Sequence, residues 1–152
     1  MITKVMFLKN AICEEKMDIC DNLIDLRIAL TTQCDGFSSV NSNKNLLLSN
    51  RLKALYLLEQ KDLTPIELIE SLGMAKSNLA NMSKVMIGDG VIDSYKTLGN
   101  SRNVFYRITE KGKNELKEYK SSLCEQFCSK YKDRIAELNS YSEKILEILR
   151  GE

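Results

Sequence analysis

Apolar residues at positions 8, 12, 19, 23, 26 and 30 form a stripe with steps of three, four and seven, widened by Met17, Ile24 and Ile28. This spacing predicts a helix from Leu8 to Leu30 with more than one covered surface. The polar stretch from Asp35 to Asn45 reads as a loop. Leu47, Leu48, Leu52, Leu55 and Leu58 then predict a second helix from Leu46 to Gln60. The third helix has the clearest start in the chain. Thr64 is placed to cap it, Pro65 takes the first helical position, where a missing N–H costs nothing, and Glu67 completes a T-x-x-E capping box. Leu63 and Leu68 flank the box as a hydrophobic staple, and Gly73, after Leu72, supplies a left-handed stop.

A fourth helix is predicted from Lys76 to Gly88 and ends in the turn Gly88-Asp89-Gly90. Leu79, Met82, Val85 and Met86 make its apolar face, with Ser77, Asn78, Asn81 and Lys84 opposite. Two β-type runs follow, Val91 to Lys96 and Val104 to Thr109. The Gly and Asn residues between Thr97 and Asn103 predict a hairpin with a long polar tip. From Glu110 to Arg150 there is no Pro and no Gly after Gly112. The stretch is longer than a usual globular helix, which predicts two helices, or one bent helix, broken between Ser129 and Tyr141. The fold class is therefore mainly α with a small β-hairpin wing: a winged helix-turn-helix with long helices at both ends.

Charge sharpens this picture. The 152 residues carry 22 basic and 21 acidic groups, but residues 74–113 hold 7 basic against 3 acidic, while both ends are slightly acidic. The basic middle and acidic ends point to two jobs on one chain. The chain has no His, which excludes Ser-His-Asp and Cys-His catalysis and every His-ligated metal site. It also lacks a phosphate-cradling glycine loop and a close carboxylate pair backed by a pocket signature, so neither an enzyme nor a cofactor is expected. No apolar run approaches the roughly 18 residues that span a bilayer, so a soluble, cytoplasmic protein without a membrane partner is expected. The five cysteines, Cys13, Cys20, Cys34, Cys124 and Cys128, form no CxxC pair and are expected to be buried, reduced thiols. Cys124 and Cys128 share a helical face, but two thiols without His are incomplete for zinc, so packing and no metal is the expectation.

A short helix, a tight turn, a helix with a polar outer face and a hairpin together suit double-stranded DNA. Asn78 and Asn81 can hydrogen-bond adenine or phosphate, Ser77 offers a hydroxyl, and Lys76 and Lys84 suit phosphates. At the hairpin tip Arg102 lies beside Asn100, Ser101 and Asn103, and a lone Arg on a projecting polar loop suits a narrow minor groove.

The stretch from Leu63-Thr64 through Glu67-Leu68, Leu72-Gly73 and Gly90-Val91-Ile92 to Arg102 and Ile108-Thr109-Glu110-Lys111-Gly112 resembles the winged-helix region of the MarR family of bacterial transcriptional regulators. The motif similarity covers roughly residues 46–125. The resemblance implies a homodimer on a palindromic operator, a transcriptional repressor that a small aromatic effector releases. It implies an N-terminal dimerisation helix and loop at 1–45, a DNA-binding domain at 46–113 and C-terminal dimerisation helices at 114–152. It places Lys76, Ser77, Asn78, Asn81 and Lys84 on the recognition helix, and Arg102, with Asn100 and Ser101, at the wing tip. Three positions depart from the family pattern. Ala75 stands where a Ser or Thr cap is frequent, the recognition helix has no Arg, and Asn100 replaces the Asp two residues before the wing Arg. Two other readings remain open. One is a winged helix that binds protein instead of DNA. The other is a thiol-based redox regulator acting through Cys20, whose acidic neighbours Asp18, Asp21 and Asp25 weigh against a reactive thiolate.

Overall fold

The structure, a computed structural model, describes residues 19–30 and 49–151. The chain divides into two compact units, residues 1–48 and 49–152. In the first, residues 19–30 are helical (α1), matching the C-terminal part of the first predicted helix. The start of that helix, the loop at Asp35–Asn45, the first turn expected at Leu46–Leu48, and Cys13 and Cys34 lie outside the described residues.

The second unit runs α2 (Asn50–Gln60), α3 (Pro65–Leu72), α4 (Lys76–Gly88), β1 (Ile92–Thr97), β2 (Asn100–Ile108), α5 (Glu110–Lys130) and α6 (Ile135–Arg150). The starts of α2, α3 and α5 follow from local hydrogen bonds. The Ser49 side chain accepts from the Leu52 N–H to open α2. At α3 both halves of the capping box form: the Glu67 N–H donates to Thr64 Oγ1, and the Thr64 N–H donates to Glu67 Oε2 at 2.7 Å. Gly73 closes α3 at φ 61, the left-handed region that favours glycine. The Thr109 side chain accepts from the Gly112 N–H and starts α5.

One core joins these elements. Ala54, Leu55, Leu58, Leu63, Leu68, Leu79, Met86, Val91, Ile92 and Leu116 are all buried, which draws α2, α3, α4, the hairpin and α5 onto one another. Burying a Leu side chain contributes roughly 1.5–3 kcal/mol, so these contacts outweigh any single polar link. Arg51 at the start of α2 donates a bidentate pair of hydrogen bonds to Glu115 on α5 and one to Asp89 after α4, tying three elements at the edge of the core. The last stretch breaks at residues 131–134, inside the predicted window. The Tyr131 N–H closes α5 on the Phe127 carbonyl at 2.8 Å, and the chain restarts at Ile135. No residue of α6 is buried.

Two expectations are corrected by packing. Cys20, Cys124 and Cys128 are exposed thiols, not buried ones, because the core is filled by the leucines, Val91, Ile92 and Met86. Val85 was expected on the apolar face of α4 but is 58% exposed, and Ser83 is buried in its stead. The Ser83 hydroxyl donates to the Ala80 carbonyl at 3.2 Å and accepts from the Tyr106 hydroxyl at 3.3 Å, so its polar atom is satisfied there.

Candidate nucleic-acid interface

The interface is built on α4 because α3, Gly73 and the hairpin fix its axis while one of its faces stays outside the core. Leu79, Ser83 and Met86 are buried and Met82 packs against the core. Lys76, Ser77, Asn78, Asn81 and Lys84 are all exposed. Tyr106 braces the inner side, pairing its backbone with Leu63 at 2.8 and 3.2 Å and its hydroxyl with Ser83. Ser77, Asn81 and Lys84 thus share the face opposite the core, and Lys76 and Asn78 flank it at the first turn of the helix.

Ala75 gives α4 no side-chain cap. Its first-turn N–H groups therefore have no side-chain acceptor, the arrangement in which a helix N-terminus takes a phosphate oxygen.

The hairpin differs from the long polar tip expected at Thr97–Asn103. Asn100 already pairs with Thr97, so the turn is Leu98-Gly99, with Gly99 at φ 92. The register then jumps to Lys96↔Val104, and Ser101, Arg102 and Asn103 are the surplus residues of a bulge in β2. Arg102 therefore sits beside the tip, exposed, and the outermost side chain is Leu98, which is fully exposed. The correction has a simple cause: Gly99 lets a two-residue turn close early, and the bulge absorbs the leftover length.

Below the bulge side chains link the two strands of the wing. Asp93 and Arg107 are register partners and form a 2.8 Å ion pair, and the guanidinium beside Asp93 holds its carboxyl below the usual carboxylate range. Arg107 also lies over the Tyr95 ring at 5.3 Å, and Tyr95 stacks on Phe105 at 5.7 Å. The Tyr95 hydroxyl donates to Asp62 at 2.7 Å, which raises its pKa by favouring the protonated phenol.

The basic surplus is only partly committed to these contacts. Arg107 is paired with Asp93, Lys113 with Glu110, and Lys111 donates to the Asp89 carbonyl. Lys76, Lys84, Lys96 and Arg102 form no ion pair with a described residue. These four cations lie on α4 and the wing.

This helix-turn-helix, followed by an antiparallel two-stranded wing and then by α5 and α6, resembles several solved structures. The transcriptional regulator BldR from Sulfolobus solfataricus matches with a TM-score of 0.65 and 17% identity, over 87% of this chain and 94% of BldR. NadR in complex with 4-hydroxyphenylacetate matches at 0.64 and 21%, over 86% and 91%. A mutant MarR from E. coli complexed with operator DNA matches at 0.58 and 17%, over 83% and 92%. The fold is that of the MarR family. At these identities the likeness is one of fold. No protein-family model matches the chain, and no curated protein sequence does.

Within this MarR-type fold, two exposed apolar residues had no place among the predicted contacts. Val85 lies one turn beyond Asn81 on the open side of α4, and Leu98 caps the wing. No local signal set Val85 apart: it is the burial of Ser83, partnered by Tyr106, in line with Leu79 and Met86 that turns residue 85 outward. Leu98 could have been found from Gly99, since a tight turn there projects its neighbour.

Among the described residues no group of three Cys, Asp or Glu is placed to hold a metal ion, and no helix is long and apolar enough to cross a membrane.

Proposed function

We propose that this chain is a DNA-binding transcriptional regulator, a repressor that binds a palindromic operator as a homodimer in the cytoplasm. The observation that carries the proposal is the open face of α4, where Lys76, Ser77, Asn78, Asn81 and Lys84 stand exposed on a helix whose other side is locked into the core. In this reading residues 46–113 are the DNA-binding domain and 1–45 and 114–152 serve dimerisation. The α4 face enters the major groove. Asn78 and Asn81 reach adenine edges or phosphates, Ser77 offers its hydroxyl, and Val85 meets a thymine methyl. Lys76 and Lys84 take phosphates. Arg102, flanked by Asn100 and Ser101, reaches the minor groove from the bulge.

Pairing of two chains is supported by apolar side chains that the single chain leaves open. In α1 these are Ile19, Leu23, Ile24, Ile28 and Leu30; in α6 they include Ile145, Leu146, Ile148 and Leu149. Stripes of this kind mark association surfaces. Two chains then present eight uncommitted cations, four from each. Each phosphate contact contributes about 0.9 to the salt slope on B-DNA, so log affinity against log salt falls with a slope of about −7. Release by a small aromatic effector completes the proposal, supported by the NadR complex with 4-hydroxyphenylacetate. It is tested by adding phenolic acids to the preformed DNA complex.

The deciding experiment is a low-salt gel-shift series on AT-rich palindromic duplexes. Arg102→Ala weakens binding across all sequences, and Asn81→Ala alters preference at one position by about tenfold. If neither substitution changes affinity, the binding surface is misassigned.

A further inference from the structure

Two exposed thiols face each other near the end of α5. Cys124 and Cys128 stand at i and i+4, both exposed, with their sulfurs 3.7 Å apart. The pair lies on α5, outside the α4 and wing surface, in the segment read above as serving dimerisation, and none of the proposed DNA contacts uses it. What it can do follows from its spacing. A disulfide needs sulfurs at about 2.05 Å and Cβ atoms about 3.8 Å apart. Positions i and i+4 of a helix hold their Cβ atoms roughly 5–6 Å apart. Closing that bond would therefore require α5 to distort, which its continuous helix from Glu110 to Lys130 resists. A single atom bridging the sulfurs meets no such obstacle. With metal–thiolate bonds of about 2.3 Å, sulfurs 3.7 Å apart subtend an angle of about 107° at the ion. A soft ion held by two thiolates alone prefers a wider, near-linear arrangement with the sulfurs about 4.6 Å apart, twice that bond length, and rotation of the two exposed side chains opens the gap that far.

We propose that Cys124 and Cys128 form a two-thiolate site for a soft, thiophilic cation of the Cu(I) class, chelated across one turn of α5. Thiolate ligands select such ions over hard ones. The chain has no His, and no third Cys, Asp or Glu joins the pair among the described residues, so zinc's four-ligand demand is unmet there. A soft monovalent ion accepts fewer ligands, and its outward side stays open to solvent. Binding replaces two S–H protons with two metal–sulfur bonds, so two protons leave for each ion taken up.

The test uses the full chain with Cys13→Ser, Cys20→Ser and Cys34→Ser, which keeps the pair alone. Cu(I) is added without oxygen against a chromogenic Cu(I) chelator. The expected result is one ion per chain, held about 100-fold more tightly than after a further Cys124→Ser or Cys128→Ser, since the second sulfur binds at high effective concentration. A spacing variant combining Cys128→Ser with Gln126→Cys keeps two thiols on opposite sides of the helix, and it binds like a single thiol. In the unmodified chain, one equivalent of Cu(I) slows alkylation of Cys124 and Cys128 together and leaves Cys20 reactive. The proposal is overturned if a single-thiol or spacing variant competes as well as the pair. It is equally overturned by one ion per two chains, or by protection that falls on the other cysteines.

Discussion

Replacing Gly112 by Ala tests the wing's attachment to α5 at its tightest point. A Cβ at Gly112 would sit 2.1 Å from the Val91 carbonyl oxygen and 2.8 Å from Ile108 Cγ1. The Ile108 methylene has room to turn, but the carbonyl does not. Val91 O accepts the Thr109 N–H at 3.1 Å, the Val91 N–H donates to Met86 O at 3.1 Å, and the Thr109 hydroxyl donates to Gly90 O at 2.6 Å. Relieving the overlap means moving the start of the wing or the first turn of α5 by about an ångström. Overpacking of this kind costs about 1–3 kcal/mol, and weakening one backbone hydrogen bond adds about 1 kcal/mol. Against this, Ala is about 1 kcal/mol better than Gly inside a helix. The net expectation is a loss of about 2 kcal/mol, or roughly 8–16 °C in Tm for a unit of this size. Thermal and urea unfolding followed by circular dichroism, at one fixed protein concentration, measure it. An alanine variant as stable as the parent would refute the close approach of Val91 to α5.

Arg51→Ala removes the fork that joins Glu115 and Asp89 and leaves the half-exposed Asp89 and the more covered Glu115 without this partner. Urea unfolding is expected to show a loss of about 1–2 kcal/mol, with Arg51→Lys recovering part of it; no change in midpoint would contradict the tie. Glu67 has its pKa lowered by the hydrogen bonds from the Thr64 backbone and hydroxyl. Its contribution to stability is therefore complete above the ordinary glutamate pKa and is lost as pH falls through the lower, folded value. Glu67→Gln should flatten the acid limb of the stability–pH curve, and an unchanged limb would count against the capping box. Val85→Ser, on an exposed position, should leave Tm unchanged while relaxing the preference for thymine at one base pair, as read by competition gel shifts.

Much of the fold was legible because its signals are local. Thr64, Pro65, Glu67 and Gly73 define α3 without reference to anything distant, and each is found in the role its chemistry dictates. The break between α5 and α6 was bracketed from length alone. What escaped the sequence depends on tertiary neighbours. Ser83 is inside and Val85 outside because Tyr106, more than twenty residues later, supplies a partner for the hydroxyl. Cys20, Cys124 and Cys128 are outside because Leu55, Leu68, Met86 and Leu116 already fill the core. Arg102 moved from the tip into a bulge because register is set by the whole hairpin, not by its composition. The polar face of α4 was readable from periodicity, whereas the commitment of Arg107 to Asp93 and of Lys111 to a carbonyl was not, since cross-strand and cross-turn partners decide it.

The most direct measurement is selection of bound duplexes from a random pool by the purified full-length chain. Two α4 faces carried by paired chains predict recovered sequences with an inverted repeat, its half-sites separated by about one helical turn, roughly 10 base pairs. Recovery of no sequence above the starting pool, or of single unpaired half-sites by a chain that stays monomeric, would contradict it.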